Sequence, residues 1–528
     1  MKVLFIFPNF GCPVGMSIGV AYLSAALKRD GHDTRIVHIN DEVGTPYDID
    51  RIARDARDYG PDLVAISLTT NHWPEMRATA RALKQQLGRP IVVGGIHATL
   101  NLEAVLTECP AIDYLNVGEG DDSLPELARA LERGLDTRHI RNVWARDGDR
   151  IVRNPIRPLR DLATLPWMDL EGWPGFDAIL AARRGWLNVY MNRGCPYRCS
   201  YCHNNGVGEL LEREFGRRGT NRGLGYLKLR GVDDMVGELD AIRRRWDVTA
   251  FSFNDDTFTM DREHTRAFLV RYKAEIGLPW DCNTTVLDVD RALLALMKDA
   301  GCDLVRFGVE SASRRLRRDV LKRDFATAQT EEVFRTCRAL GLRSFAYNIL
   351  ANPTETRQEM VDTLCLNARL RPNGLRVSLG YPYPGTAYHR IADELGLIRA
   401  DAHANNYLWE SPLAWSPADK LWIDKVRLVY WWWVNRALEN EASPLYGRLI
   451  AMLEGMSAEA WVEAGTRQRI RDLDAALSGV LTQAGVAHYM LPFPDRADIA
   501  ILSEAAPTLG RDVLDEHHPP AGGAGPRP

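Results

Sequence analysis

The chain has 528 residues, too many for one ordinary hydrophobic core, so two or three domains are expected. Its 66 basic and 70 acidic residues leave a net charge of −4, which gives no reason to expect nucleic acid or an anionic membrane as a partner. No apolar run approaches the roughly 20 residues of a membrane span, and no leader segment is visible before the first strand. We therefore expect a cytoplasmic protein without a membrane span, in a reducing compartment.

The first 140 residues alternate between strands and helices. A continuous apolar run over residues 3–8 is typical of a buried parallel strand. Further strands are predicted at 35–39, 63–68, 90–95 and 114–120, with helices that include 17–29, 74–87 and 124–133. This alternation predicts a doubly wound, Rossmann-like parallel sheet over residues 1–140. Such sheets bind ligands beyond the carboxyl ends of their strands.

Small and polar residues stand at those strand ends, where glycine lets a large flat ligand approach the backbone. They are Ser67, Gly94, Gly95, Gly118 and Glu119. The segments Ser-Leu, Gly-Gly-Ile-His-Ala-Thr and Gly-Glu-Gly, in this order, resemble the cobalamin-binding domain that precedes many radical S-adenosylmethionine domains. The resemblance implies cobalamin as a cofactor and these five residues as its contacts.

One departure concerns the lower axial ligand of cobalt. Cobalamin-dependent methionine synthase carries D-x-H-x-x-G after its first strand, but residues 9–15 of this chain contain no histidine. We expect no protein imidazole on cobalt, and we expect His97 to contact the corrin periphery or to be structural. The alternative is a degenerate Rossmann-like domain that binds nothing. Nicotinamide is disfavoured because no G-x-G-x-x-G follows the first strand.

A linker is predicted over residues 141–182, with a small hairpin at 142–152. After a strand at 187–191, Cys195, Cys199 and Cys202 follow with C-x3-C-x2-C spacing. Three thiolates hold three irons of a [4Fe–4S] cube and leave the fourth iron open. A zinc knuckle would need His203 as its fourth ligand, and a disulfide is disfavoured by the odd cysteine count.

This loop resembles the signature of the radical S-adenosylmethionine superfamily, C-x3-C-x-aromatic-C, with Tyr201 in the aromatic position. The resemblance implies that the open iron binds the amino and carboxylate groups of S-adenosylmethionine. It also implies that an electron cleaves the sulfonium to a 5′-deoxyadenosyl radical. An electron donor such as flavodoxin or ferredoxin is then expected.

Residues 183–395 repeat strand and helix in a way that predicts a (β/α)6 partial TIM barrel, with function at the strand carboxyl ends. Asp255 and Asp256 match the family's D-D element after the second strand, and Glu310 and Ser311 match its V-E-S element. The resemblance implies that these four residues contact S-adenosylmethionine. Residues 352–356 match G-x-P-x-E-T, although Ala351 replaces the usual glycine. The Arg-rich stretch 212–230 is expected to be a solvated loop and helix face, with a contact to a carboxylate or phosphate as the weaker alternative.

Beyond residue 396 the pattern is helical, at 421–438 and 457–481, and predicts a helical C-terminal domain over 396–516. The triplet at 431–433 is all tryptophan and is expected to be core or an interface; a substrate-cavity wall and a membrane-resting surface are the minor alternatives. Residues 517–528 are rich in Pro, Gly and Ala and are predicted to be disordered.

These features together predict a cobalamin-dependent radical S-adenosylmethionine methyltransferase. In the resembling family, methylcobalamin and the 5′-deoxyadenosyl radical together methylate an unactivated carbon of a small-molecule substrate. The alternatives are a cyclase or rearrangement enzyme of the same domain order, and a cobalamin-binding sensor. The cysteine triad disfavours the sensor, since a sensor needs no open iron. The sequence assigns no catalytic side chain and no substrate.

Overall fold

The structure, a computed structural model, describes residues 1–399, 410–492 and 498–505. The predicted disordered tail, 517–528, lies outside these residues, as does part of the predicted C-terminal domain.

The N-terminal part is a sheet with helices on both faces. Its strands are β1 (Lys2–Pro8), β2 (Asp33–Ile39), β3 (Leu63–Ser67), β4 (Ile91–Gly94), β5 (Tyr114–Asn116), β6 (Val143–Asp147) and β7 (Arg150–Val152). Its helices are α1 (Ile18–Arg29), α2 (Ile49–Tyr59), α3 (Trp73–Leu87), α4 (Ile96–Leu100), α5 (Leu102–Glu108) and α6 (Ser123–Glu132). The strand order is β2-β1-β3-β4-β5-β6-β7, and β1 to β5 are parallel. The doubly wound sheet predicted from the alternation is confirmed.

The predicted hairpin in the linker is present, and it extends this sheet. Strand β6 pairs antiparallel with β5 and with β7. Helix α7 (Phe176–Ala182) then leads into the second part of the chain.

The central part is the predicted partial barrel. Its strands are β8 (Trp186–Val189), β9 (Asn192–Arg193), β10 (Lys228–Leu229), β11 (Ala250–Phe253), β12 (Trp280–Thr284), β13 (Cys302–Glu310), β14 (Arg343–Leu350) and β15 (Gly374–Leu379). Its helices are α8 (His203–Phe215), α9 (Val232–Arg245), α10 (Arg262–Glu275), α11 (Arg291–Asp299), α12 (Thr327–Ala339), α13 (Arg357–Leu370) and α14 (Ala387–Glu394). Strands β8, β11, β12, β13, β14 and β15 are parallel neighbours in this order, whereas β9 and β10 form a separate antiparallel ribbon.

The C-terminal part is mainly helical, as predicted, but it also adds two strands to the barrel sheet. Its elements are α15 (Pro417–Val429), α16 (Trp431–Arg436), α17 (Ser443–Gly455), α18 (Ala458–Val462), α19 (Thr466–Gln483), β16 (Tyr489–Met490) and β17 (Ile499–Leu502). Strand β17 pairs antiparallel with β15, and β16 pairs with β17. Among the described residues, no helix is long and apolar enough to cross a membrane.

The tryptophan triplet is core. Trp431, Trp432 and Trp433 are all buried. The indole N–H groups of Trp431 and Trp432 both donate to the Asp474 carboxylate, at 3.0 and 2.6 Å. Buried indoles need such a partner, because an unpaired buried donor is costly.

Candidate functional site

The three cysteines of the loop before α8 face one cavity at the carboxyl end of the barrel. Cys195, Cys199 and Cys202 all line this cavity of about 460 Å³, which we call cavity 3. The N–H of Ser200 donates to the carbonyl of Leu321 at 2.9 Å, so the loop is tied to the barrel between its second and third cysteines.

The donor set of cavity 3 suits an iron–sulfur cube. Burial raises the pKa of the Cys195 thiol to about 12 and also raises the pKa of Cys199, so both sulfurs lie in a water-poor setting. The zinc alternative needs four ligands around one ion. His203 would be the fourth ligand, and its Nδ1 lies 4.0 Å from the Cys202 sulfur. Within the described ranges, no three His, Cys, Asp or Glu side chains converge on a single ion position. A cube places each sulfur on a different iron, so it does not require that convergence.

Glu310 also lines cavity 3, at the end of β13. Its Oε1 accepts a hydrogen bond from the Tyr201 hydroxyl at 2.9 Å and lies 3.4 Å from Arg323 Nη1. Burial raises the pKa of Glu310, while Arg323 and Tyr201 oppose that rise. Gly308 makes room for this side chain, since a Cβ there would overlap Glu310 Oε1. Tyr201, the aromatic residue of the cysteine loop, is thereby hydrogen-bonded to Glu310, a predicted contact of S-adenosylmethionine.

Asp255 and Asp256 line cavity 3 as well, with different partners. The backbone N–H groups of Met191 and Asn192 donate to Asp255, the second at 2.6 Å. Burial raises the pKa of Asp255 to about 7, and these two N–H groups oppose the rise. Asp255 thus fixes the chain just before the cysteine loop, whereas Asp256 lies 3.9 Å from His203 Nε2.

Ser311 and the loop after β14 do not line cavity 3 in the described structure. The Ser311 hydroxyl is buried, 3.3 Å from that of Thr363. Ala351 has a φ of +58°, the left-handed region that glycine adopts most easily, which explains the glycine usual in the family at this position. The predicted contact between Ser311 and S-adenosylmethionine stays a prediction.

The five residues predicted to contact cobalamin lie together. Ser67, Gly94, Gly95, Gly118 and Glu119 line a cavity of about 470 Å³ at the carboxyl edge of the first sheet, which we call cavity 1. Gly95 has a φ of +96°, and a Cβ on it would lie 2.6 Å from the Leu68 carbonyl oxygen, so only glycine fits. Their role as cofactor contacts stays a prediction.

The walls of cavity 1 suit a ligand with apolar surface. Phe5, Ala65, Val92 and Leu124 line it from the sheet and from helix α6. The opposite wall comes from the linker and from the second part of the chain, through Leu159, Leu162, Leu165, Val207, Leu210 and Leu211. Val207, Leu210 and Leu211 have the i, i+3, i+4 spacing of an apolar helix face, which is the local sequence signal for this wall.

The C-terminal end of the Arg-rich stretch 212–230 is buried, whereas the sequence predicted a solvated stretch. Arg230 is buried and pairs with Glu238 and Asp234. Lys228, 9 % exposed at its side chain, pairs with Glu119 across the boundary between the two parts. No periodic pattern marks these two residues as buried. Lys228 pairs with an acid 109 residues earlier in the chain, and Arg230, besides its local ion pairs, donates to the hydroxyl of Tyr22, 208 residues earlier.

A further cavity adjoins cavity 1 and cavity 3, and we call it cavity 2. It has a volume of about 660 Å³. It shares Ile18, Gly19, Ile96, Tyr190 and His203 with cavity 1. It shares Tyr201, Cys202, Asn254 and Tyr383 with cavity 3. Cavity 2 therefore adjoins both the predicted cobalamin site and the cysteine site.

His97 lies outside all three cavities. Its Nδ1 is 3.1 Å from the Thr70 hydroxyl, and its ring centroid is 5.4 Å from that of Trp73. The loop after β1, which lacks histidine, lines cavity 2 through Asn9 and Cys12. These positions support a structural role for His97.

Comparisons with known proteins agree with this arrangement. Residues 13–128 match the B12 binding domain family, and residues 189–366 match the Radical SAM superfamily. An uncharacterised methyltransferase of Pyrococcus horikoshii is 28% identical over 396 residues, covering 73% of this chain and 82% of that protein. An anaerobic magnesium-protoporphyrin IX monomethyl ester cyclase of Cereibacter sphaeroides is 28% identical over 415 residues, covering 75% and 64%.

Among solved structures, the chain shares its fold with the radical S-adenosylmethionine methyltransferase TsrM of Kitasatospora setae, solved with cobalamin and a [4Fe–4S] cluster. The TM-score is 0.60 at 20% identity, covering 75% of this chain and 79% of that one. A B12-binding domain followed by a Radical SAM domain defines a class of enzymes that combine both cofactors. This chain contains both domains of the cobalamin-dependent radical S-adenosylmethionine enzymes in that order, and its cofactors are a [4Fe–4S] cluster, S-adenosylmethionine and cobalamin.

Proposed function

We propose that this enzyme methylates an unactivated carbon of a small-molecule metabolite, and that S-adenosylmethionine supplies both the methyl group and the radical. The observation that carries the proposal is the position of cavity 2. It shares walls with cavity 1 and with the cavity of the three cysteines, so a substrate in it would meet both cofactors.

When bound, the cluster and its cosubstrate supply a 5′-deoxyadenosyl radical, and cobalamin supplies the methyl group. The residues of the chain bind these groups and orient them. Cys195, Cys199 and Cys202 hold the cluster, and Asp255 fixes the backbone that leads into their loop. Glu310 is the proposed acceptor for a hydrogen-bond donor of S-adenosylmethionine.

Cavity 2 has the size of a small-molecule site and mixed walls. Apolar side chains such as Phe7 and Met16 alternate with amides such as Asn9 and Asn188. A cytoplasmic location and a flavodoxin or ferredoxin as electron donor belong to the same proposal.

A second candidate is a cyclisation without methyl transfer. One relative at 28% identity carries the name of a cyclase, and that reaction would use the same domain order. The two candidates differ in their products.

Product stoichiometry tests the proposal. The reconstituted enzyme is incubated anaerobically with a reductant, candidate metabolites and S-adenosylmethionine deuterated in its methyl group. We expect two S-adenosylmethionine consumed per methylated product, with one S-adenosylhomocysteine and one 5′-deoxyadenosine formed. Formation of 5′-deoxyadenosine with a modified but unmethylated product, and no S-adenosylhomocysteine, would favour the cyclase.

A further inference from the structure

Four charged residues join the cobalamin side of the molecule to the strand that precedes the cysteine loop. The Arg193 guanidinium donates to both Asp121 oxygens, at 2.7 and 3.0 Å. Lys228 pairs with Glu119, and Arg193 Nη1 lies 3.6 Å from the same carboxylate. We call this group of two acids and two bases the clasp.

The clasp is built from the two structural units that hold the cofactors. Glu119 and Asp121 follow strand β5 of the first sheet, whereas Arg193 and Lys228 face each other in the β9–β10 ribbon. Arg193 is two residues before Cys195. Any displacement of the ribbon is therefore passed directly to the cysteine loop.

One partner of each ion pair in the clasp is shielded from solvent, so the pairs hold their geometry better than pairs of two exposed side chains. The side chains of Asp121 and Lys228 are 5 % and 9 % exposed. A bidentate Arg–carboxylate pair fixes orientation as well as distance. The Tyr22 ring supports it, with its centroid 5.8 Å from the Arg193 guanidinium.

The clasp also borders the cofactor site. Glu119, Asp121 and Arg193 all line cavity 1. We propose that the clasp is a positioning device that sets the cluster loop relative to the bound cobalamin, and that Glu119 acts as a member of this device. This inference rests on the proposed function, because only transfer between the two cofactor sites requires a fixed separation.

The test measures the distance between the two cofactors. Cob(II)alamin and the reduced cluster are both paramagnetic, so pulsed dipolar electron paramagnetic resonance reports their separation without any substrate. The variants are Asp121→Asn, the single reversals Glu119→Lys and Lys228→Glu, and the double reversal. Asp122→Asn is the matched control, because the neighbouring Asp122 pairs with Arg160 of the linker instead of with the ribbon.

We expect Asp121→Asn and both single reversals to load cobalamin and cluster but to give a shifted or broadened distance distribution. The double reversal restores the pair and should restore the wild-type distribution. Once a substrate is known, methylated product per 5′-deoxyadenosine should fall by about 10- to 100-fold in the single variants, since misplacement of about 1 Å has effects of that size.

Two outcomes would overturn the proposal. One is a wild-type distance distribution in loaded Asp121→Asn and in both loaded single reversals. The other is loss of cobalamin from Glu119→Lys that the double reversal does not repair, which would make Glu119 a direct cofactor contact. Neither outcome depends on the reaction type, so a failure of the methyltransferase proposal remains a separate result seen only in the products.

Discussion

At the scale of single residues, the cysteine loop gives the sharpest prediction. Replacing Cys195, Cys199 and Cys202 together by Ala should abolish the [4Fe–4S] cluster, because no other described side chain that lines cavity 3 supplies a thiolate. Iron and sulfide analysis of anaerobically reconstituted protein measures this. Cys365→Ala, at a cysteine remote from the loop in sequence, should keep a full cluster. Unchanged iron and sulfide in the triple variant would refute the assignment.

Gly308 offers a second residue-level prediction. Gly308→Ala should displace Glu310 from its place beside Tyr201 and Arg323, because the new methyl group would overlap the Glu310 carboxylate. A displaced Glu310 would lose its proposed hydrogen bond with S-adenosylmethionine. Hydrogen bonds to charged groups contribute about 1.5–3 kcal/mol, so we expect about a tenfold weaker affinity for S-adenosylmethionine with the cluster retained. Equilibrium binding to the reconstituted protein measures it. Gly447→Ala, where a Cβ meets nothing, is the control. Equal affinity in both variants would show that Glu310 does not depend on this space.

Residue roles were predictable where the chemistry lies within one short segment. Three cysteines in eight residues indicate a cluster without any knowledge of the fold. Glu119 was predicted only as a cofactor contact, because its partner Lys228 is 109 residues away. Arg323 was missed for a different reason: it lies only 13 residues after Glu310, in the segment between β13 and α12, and no periodic pattern there marks the pairing.

At the scale of elements, the parallel strands were located to within a few residues. Their apolar runs are continuous because both faces are covered, and that signal is local. Strands β16 and β17 were missed because they are short and follow a helical stretch. Strand β17 is defined by pairing with β15, more than 100 residues earlier, which no local pattern reveals.

The packing of α16 on α19 carries a prediction about pH. Burial raises the pKa of Asp474 to about 6, and the indoles of Trp432 and Trp431 oppose the rise. The unfolded chain ionises near the ordinary value of about 3.9. The stabilising effect of the protonated carboxyl is therefore fully present below that value and is lost as pH rises through about 6. A rise of that size corresponds to at most about 3 kcal/mol.

Asp474→Asn removes this titration. We expect the apparent Tm of the wild type to fall relative to that of the variant between pH 5 and pH 7, and calorimetry on matched samples measures the difference. Asp472→Asn, at an exposed position on the same helix, should track the wild type. Parallel pH profiles for wild type and Asp474→Asn would contradict the raised pKa.

At the scale of the whole molecule, the two cofactor-binding parts share one hydrophobic core. Val3 and Leu124 of the first part, Trp173 of the linker and Trp186 of the barrel belong to a single buried cluster. The sequence indicated two domains and their order, because each has its own strand pattern. It did not indicate that cavity 1 is closed by helix α8, because the apolar spacing of residues 207, 210 and 211 predicts a buried helix face but not what that face packs against.

The shared wall of cavity 1 yields the last prediction. Val207 of α8 lines this cavity and is only partly buried, so a larger side chain there extends into the cofactor space instead of into packed core. Val207→Trp should weaken cobalamin binding by about 10- to 100-fold, from an overpacking cost of about 1–3 kcal/mol. The cluster should remain, because the cysteines precede α8. Cobalt and iron contents of the purified, reconstituted protein measure both effects together. Val207→Ala enlarges cavity 1 at the same wall, so this variant should keep both cofactors. Full cobalamin loading in Val207→Trp would show that the ligand does not reach α8, and would confine the cobalamin site to the first sheet.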